Sequence, residues 1–188
     1  MKCYKCQKKA TVKTVDKKFC DACFCEIIEK RVRKEIRQGE LLSRNDRVLI
    51  LDDRSEKSAL NKYLLKKIIS DPTIKFTIKK IKSFDMDSDY DSKKEFDKII
   101  IPQSLDDETA EYLKTFLSNK STCIFDKKII KPLAVVSKSD ALNYATIKKL
   151  SFDNKKAAKD DAQKMIEKMD RKYPGTNFSI LKTMRNLR

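Results

Sequence analysis

The chain has no histidine in 188 residues. The side chain that most often moves protons near neutral pH is therefore missing. Glycine occurs only at Gly39 and Gly175. No apolar run approaches the roughly 20 residues that cross a bilayer. Met1-Lys2-Cys3-Tyr4 opens without an apolar h-region, so no signal peptide is expected. Neither an internal repeat nor a low-complexity linker is visible. These absences point to a cytoplasmic chain with no membrane association. In that compartment cysteines bind metal more often than they form disulfides.

What is present is charge. Lys and Arg number 44 against 28 Asp and Glu, a net charge of +16. The cations are spread along the chain rather than gathered in a tail. One reading is a set of solvated faces. The sharper reading is a polyanion partner, most simply nucleic acid. Hydrophobic residues make up 40%, enough for a core. The length suits one α/β domain with a small appendage.

Cys3-x-x-Cys6 and Cys20-x-x-Cys23 are separated by 13 residues. Two such pairs can place four thiolates tetrahedrally around Zn²⁺. Ala10, Val12 and Val15 between them suit a small hairpin joining two knuckles. Four protein ligands leave no open position, so this zinc would be structural. Cys25 is close enough to substitute for Cys23 and is read as a buried neighbour on the next helix.

That helix is expected over Phe24 to Gln38, with Phe24, Ile28, Val32 and Ile36 on one face. Gly39 suits its C-terminal stop. Lys30, Arg31, Arg33, Lys34 and Arg37 largely cover the rest. They could contact RNA phosphates. Alternatively they form a solvated face with Glu26–Lys30 and Glu29–Arg33 pairs.

The centre of the chain is Arg47 to Ile69. Val48-Leu49-Ile50-Leu51 reads as a strand buried on both faces. A helix follows from Ser58, with Ser55 as its cap. Strand, tight loop and helix is where α/β proteins hold nucleotide phosphate. This loop, Asp52 to Lys57, has no glycine, and Asp52, Asp53 and Glu56 would repel a phosphate.

Further strands are expected at Lys75–Ile81, Lys98–Ile101 and Ile129–Leu133. Ser83 to Ser92 is acidic and is read as a polar loop rather than a calcium site, lacking the glycine and terminal glutamate of an EF-hand. Asp106-Asp107-Glu108 opens a helix with Ala110, Leu113, Phe116 and Leu117 as its apolar positions. Ser139 or Ser137 caps another, containing Ala141, Leu142, Tyr144, Ala145 and Ile147. A long helix is expected from Asp153 to Lys172, with Ala158, Ala162, Met165, Ile166 and Met169 inward. Phe178, Ile180 and Leu181 fall in a tail after Pro174-Gly175. Strands alternating with helices argue for a parallel sheet covered on both faces.

Several pieces, in this order, resemble one family, the ATP-pyrophosphatase ("PP-loop") tRNA 2-thiouridine synthetases of archaea and eukaryotes. The cysteine knuckle with its basic helix is similar to theirs. Gln103-Ser104-Leu105-Asp106-Asp107-Glu108-Thr109-Ala110 resembles the family's His-Asn-Leu-Asp-Asp-Glu-Ala. Lys131-Pro132-Leu133 resembles Arg-Pro-Leu, and Pro174-Gly175-Thr176-Asn177-Phe178 resembles Pro-Gly-Thr-Lys-Phe. The resemblance implies a small N-terminal zinc unit, residues 1–40, followed by a reduced, doubly wound PP-loop-type domain, residues 41–188.

The departures carry the functional expectation. Against the family's Ser-Gly-Gly-x-Asp-Ser loop, Asp53, Arg54, Ser55, Glu56 and Lys57 differ and only Ser58 agrees. Gln103 stands for the histidine. The further cysteines that hold an iron–sulfur cluster or activate sulfur in catalytic members have no counterpart, and Cys123 stands alone. A second, C-terminal zinc finger is also missing. The chain therefore resembles the catalytically degenerate paralogue of the family, archaeal type. What this implies is no catalytic residue, no ATP turnover and no iron–sulfur cluster, with a catalytic PP-loop paralogue and tRNA as partners in a heterodimer or heterotetramer. Alternative readings are a stand-alone zinc-containing tRNA-binding protein and an active sulfurtransferase using Cys123 and Cys25.

Overall fold

The computed structural model describes residues 1–15, 17–81, 95–118, 126–153 and 160–186. A two-stranded antiparallel hairpin, β1 (Val12–Lys13) and β2 (Lys18–Phe19), leads into helix α1 (Asp21–Gln38). Next come β3 (Arg47–Asp52), α2 (Glu56–Ile68), β4 (Lys75–Lys80) and β5 (Lys98–Ile100). Then follow α3 (Leu105–Leu117), β6 (Ile129–Ile130), α4 (Lys138–Ile147), α5 (Asp161–Lys172) and α6 (Thr176–Asn186). Strands β4-β3-β5-β6 form one parallel sheet in that spatial order, flanked by helices. The expected α/β class is what the chain adopts.

Period-two alternation explains why the strand run is apolar throughout. Val48 and Ile50 of β3, with Ile100 and Ile130, join a cluster containing Phe24, Ile28 and Val32 of α1, Leu60 and Leu64 of α2, and Tyr144 of α4. Leu49 and Leu51 point the other way and meet Ile99, Ile101 and Phe96. All four positions from Val48 to Leu51 are at most 3% exposed. Each such side chain stabilises the fold by roughly 1.5–3 kcal/mol. Cys3, Phe19 and Cys23 belong to the α1-side cluster, so the N-terminal hairpin shares the sheet's core. By contrast, β4 is exposed at every position. Its Lys75, Lys79 and Lys80 discourage pairing along its open edge.

Several expectations need correction. Gly39 is the C-cap of α1 with a right-handed φ of −83°, and the left-handed conformation falls on Glu40 at +46°. The strand at Ile129 stops at Ile130, before Pro132. In α3 the buried residues, Leu105, Glu108, Thr109 and Ala110, all lie in the first half, and Phe116 and Leu117 are exposed. Ser137, not Ser139, caps α4, accepting from the Asp140 N–H at 3.1 Å. Leu142 on that helix faces solvent. The helix expected from Asp153 starts at Asp161. Asp153 is outside it and donates its N–H to the Arg54 carbonyl at 2.8 Å, whereas Asp160 caps by accepting from the Gln163 N–H. Along α5 only Ile166 is buried; Met165 and Met169 are exposed. The "tail" is a helix, α6. Its start is fixed by Asp170, whose carboxylate accepts from the N–H groups of Gly175 and Asn177. The acidic stretch Ser83–Ser92, Cys123 and Ala158 lie outside the described residues.

Candidate functional site

The four cysteines converge. The Sγ atoms of Cys3, Cys6, Cys20 and Cys23 all lie within 4.8 Å of one another. Cys6 and Cys20 approach to 3.5 Å. Thiolates at about 2.3 Å from one tetrahedral ion stand roughly 3.8 Å apart. The cluster can therefore hold a single metal ion with little movement.

Local backbone chemistry makes this cluster. Cys3 opens a knuckle in which its N–H donates to the Lys8 carbonyl and its carbonyl accepts from Gln7, itself left-handed at φ +62°. The β1–β2 hairpin returns the chain so that Tyr4 N–H meets the Lys18 carbonyl at 2.8 Å. Cys20 is the N-cap of α1, and Cys23 sits in its first turn. Both thiols of the second pair are therefore carried at the start of the helix. Burial pushes the Cys3 thiol up, but backbone N–H groups of Cys20, Cys6 and Lys5 outweigh it and bring it down to about 6. Burial, then the hydrogen bonds that the Cys23 thiol donates toward Cys6, Cys20 and Cys3, push Cys23 up to about 12. Cys25 is buried outside the cluster, and burial raises its thiol.

Asp52 to Ser58 follows β3 and faces the crevice between the carboxyl ends of β3 and β5. Here the chain's winding reverses, because β4 lies on one side of β3 and β5 on the other. Open α/β sheets bind ligands at this position. The crevice has a volume of about 440 Å³ and is lined by Asp53, Lys57, Gln103, Asp107, Lys114 and Asp160 among others.

The loop is closed on itself. Asp52 Oδ1 accepts from the Arg54 N–H at 2.9 Å and from Ser58 Oγ at 2.8 Å. Asp53 Oδ1 accepts from the Ser55 N–H at 2.9 Å, and Ser55 Oγ from the Ser58 N–H at 3.3 Å. Three amides that could face a phosphate are thus engaged by side-chain oxygens. Arg54 is left-handed at φ +63°, a conformation that favours glycine. Glu56 and Lys57 begin α2. Lys57 Nζ is 2.8 Å from Asp107 Oδ2, with both side chains 16% exposed. Burial pushes Asp107 up, but Lys57 and the Ser104 donors outweigh it and hold it below the usual carboxylate range. Across the crevice, Lys114 pairs with Asp160 at 2.5 Å.

The basic helix is only partly a free surface. Lys30, Arg33, Lys34 and Arg37 are exposed. Lys30 pairs with Glu26 at 2.8 Å, as expected. Glu29 does not meet Arg33; it accepts from Lys67 and from the Tyr144 hydroxyl at 2.7 Å. Arg31 turns to Asp140 at 3.7 Å and lies over the Phe178 ring at 5.5 Å.

Sequence reasoning missed what joins the motifs. Asn177, 3% exposed, donates to Asp106 Oδ1 at 3.2 Å and accepts from Thr109 Oγ1 at 3.2 Å. Lys131 pairs with Glu108 at 2.6 Å and Glu111 at 3.2 Å. The three motifs, distant in sequence, bind one another. Lys62, which pairs with Asp52 at 2.5 Å, was also missed. A lysine in a lysine-rich helix carries no signal of its own.

Among the described residues, no helix is long and apolar enough to cross a membrane. No protein-family model and no curated protein matches the sequence. Among solved structures, the U34-tRNA thiolase NcsA from Methanococcus maripaludis with its [4Fe-4S] cluster is similar at a TM-score of 0.79 and 17% identity, over 100% of this chain and 87% of that one. At that identity the likeness is one of fold: this chain has the α/β architecture of a PP-loop tRNA thiolase.

Proposed function

We propose that this chain is a non-catalytic subunit of a tRNA wobble-uridine 2-thiolation complex. It would bind tRNA and support a catalytic PP-loop paralogue. The observation that carries the reading is the loop after β3. Its amides at Arg54, Ser55 and Ser58 are satisfied by Asp52, Asp53 and Ser55 Oγ rather than left open to a pyrophosphate. An anion arriving there meets Asp53 and two lysines, Lys57 and Lys114, already paired with Asp107 and Asp160, and among the described residues no cysteine lines the crevice to handle sulfur. The partner would supply uridine adenylation and sulfur attack. The fold of the tRNA thiolase supports the link to tRNA.

For the four cysteines we propose zinc rather than a cluster. Thiolates that ligate separate irons must stand further apart than thiolates around one ion, and these lie within 4.8 Å of one another. Zinc here would fix the knuckles against α1 and offer no open position for chemistry.

The test is reconstitution. The isolated chain should show no ATP turnover. In the complex with an intact paralogue, Asp53→Ala should leave the yield of thiolated tRNA nearly unchanged, and glycine-to-alanine changes in the paralogue's own loop should abolish it. A large loss from Asp53→Ala in an assembled complex, or ATP turnover by this chain alone, would overturn the reading.

A further inference from the structure

Helices α3 and α6, with the turn before α6, bound a groove. It has a volume of about 410 Å³ and is lined by Tyr112, Tyr173, Pro174, Thr176, Ile180 and Thr183 among others, with no charged residue among the described ones. Tyr173 is 61% exposed, and Lys172 Nζ lies 5.3 Å from its ring centre. Tyr112 stacks with Phe116, which is 70% exposed, at 6.3 Å and 25°. Exposed aromatic rings gathered at one groove mark a surface used for binding.

Charge points to the occupant. Lys172 stands beside the Tyr173 ring at the groove, and Arg171 on α5 and Lys182 on α6 are exposed on the helices that bound it. A second copy of this chain would bring the same cations against them. A polyanion would not, and among the described residues no carboxylate lines the groove to repel it. α6 also bridges to the basic helix, through Arg31 over Phe178 and through Arg185 to Glu35 at 2.6 Å. The groove and the exposed cations of α1 therefore flank the same helix. Aromatic faces take unpaired bases, and adjacent lysines take the phosphates between them.

We propose that this groove seats an unpaired RNA base, stacked against Tyr173 and Tyr112, with Lys172 and Lys182 on the neighbouring phosphates. The proposal rests on the tRNA-binding reading above and adds where a single-stranded segment is held. A duplex would reach the cations of α1 but could not stack into the groove.

The experiment measures binding of the full, metal-loaded chain to labelled single-stranded oligouridine and to a blunt RNA duplex by fluorescence anisotropy. Tyr173→Ala should weaken oligouridine binding by roughly 5- to 100-fold, the worth of one stacked base. Tyr173→Phe should bind like the parent, and duplex affinity should not change in either variant. Tyr173 is mostly exposed, so both variants should fold, which circular dichroism checks. Equal oligouridine binding by parent and Tyr173→Ala would overturn the proposal. So would a parallel loss for duplex, or a parent oligomer that sediments as monomer in Tyr173→Ala. Failure of the parent to bind any RNA would instead overturn the tRNA-binding reading beneath it.

Discussion

Replacing Asp52 should show how strongly the loop after β3 is held. Asp52 is 5% exposed and carries three partners: the Arg54 N–H, Ser58 Oγ and Lys62 Nζ. Asp52→Asn keeps an acceptor for the first two and removes the charge facing Lys62. The Lys62 side chain is 31% exposed, so water still screens it. The cost should fall between that of a surface pair and that of a broken buried pair, about 1–2 kcal/mol. Asp52→Ala also loses two hydrogen bonds of about 1 kcal/mol each, for a total near 3–4 kcal/mol. In a chain of this size about 2–4 °C of melting temperature corresponds to each kcal/mol. Asp52→Asn should therefore melt roughly 2–8 °C below the parent at pH 7 and Asp52→Ala about twice as far below. Burial pushes the Asp52 carboxyl up, but Lys62 and Ser58 outweigh it and leave it below its ordinary value. Its contribution is complete above that ordinary value and fades as pH falls through the lower folded one. The gap between parent and Asp52→Asn should thus narrow below about pH 4. Thermal unfolding by circular dichroism across pH measures both. An Asp52→Asn melting temperature within a degree of the parent at pH 7, with no narrowing in acid, would refute the assigned anchoring role.

Two further outcomes are expected. Metal analysis of protein prepared without chelator should find one zinc per chain, and Cys6→Ser should release it and loosen residues 1 to about 24, read as new amide exchange there; protein without zinc would defeat the assignment. Replacing Lys30, Arg33, Lys34 and Arg37 by Ala, with Arg31 left on Asp140, should weaken binding to all tRNAs alike and flatten the salt dependence by roughly 3 in the log–log slope; unchanged affinity at physiological salt would make the helix only a solvated face.

The legible parts of the sequence were those set by local pattern. The Cys3/Cys6 and Cys20/Cys23 spacing announces a cluster because four thiols at two such spacings have few other uses. Val48 to Leu51 announces a strand buried on both faces because four consecutive apolar residues suit no half-exposed element. Ser55 and Asp160 differ in visibility. Ser55 caps directly before an apolar stripe, whereas Asp160 follows a run of alanine and lysine that reads equally well as helix. Periodicity identifies the apolar face that holds Met165 and Met169, and the apolar positions Phe116 and Leu117, but not whether anything packs on them. The clamp of Asn177 on Asp106 and Thr109 spans 71 and 68 residues, and no local pattern encodes such a meeting.

The backbone at Arg54 has a consequence for how this chain can change. The left-handed conformation costs a non-glycine residue about 1 kcal/mol or more. Glycine would relieve that strain but would enlarge the unfolded ensemble at a cost of roughly 0.4–1 kcal/mol. The two effects oppose each other and are similar in size. The hydrogen bonds at this position, from its N–H to Asp52 and from Asp153 to its carbonyl, use backbone atoms that either residue supplies. What arginine adds is a guanidinium 3.9 Å from Asp153, an exposed pair worth little. Exchange between glycine and arginine is thus almost free for folding in both directions. A lineage can drift across it without crossing a stability threshold, and only selection on what the crevice binds would hold it to either side.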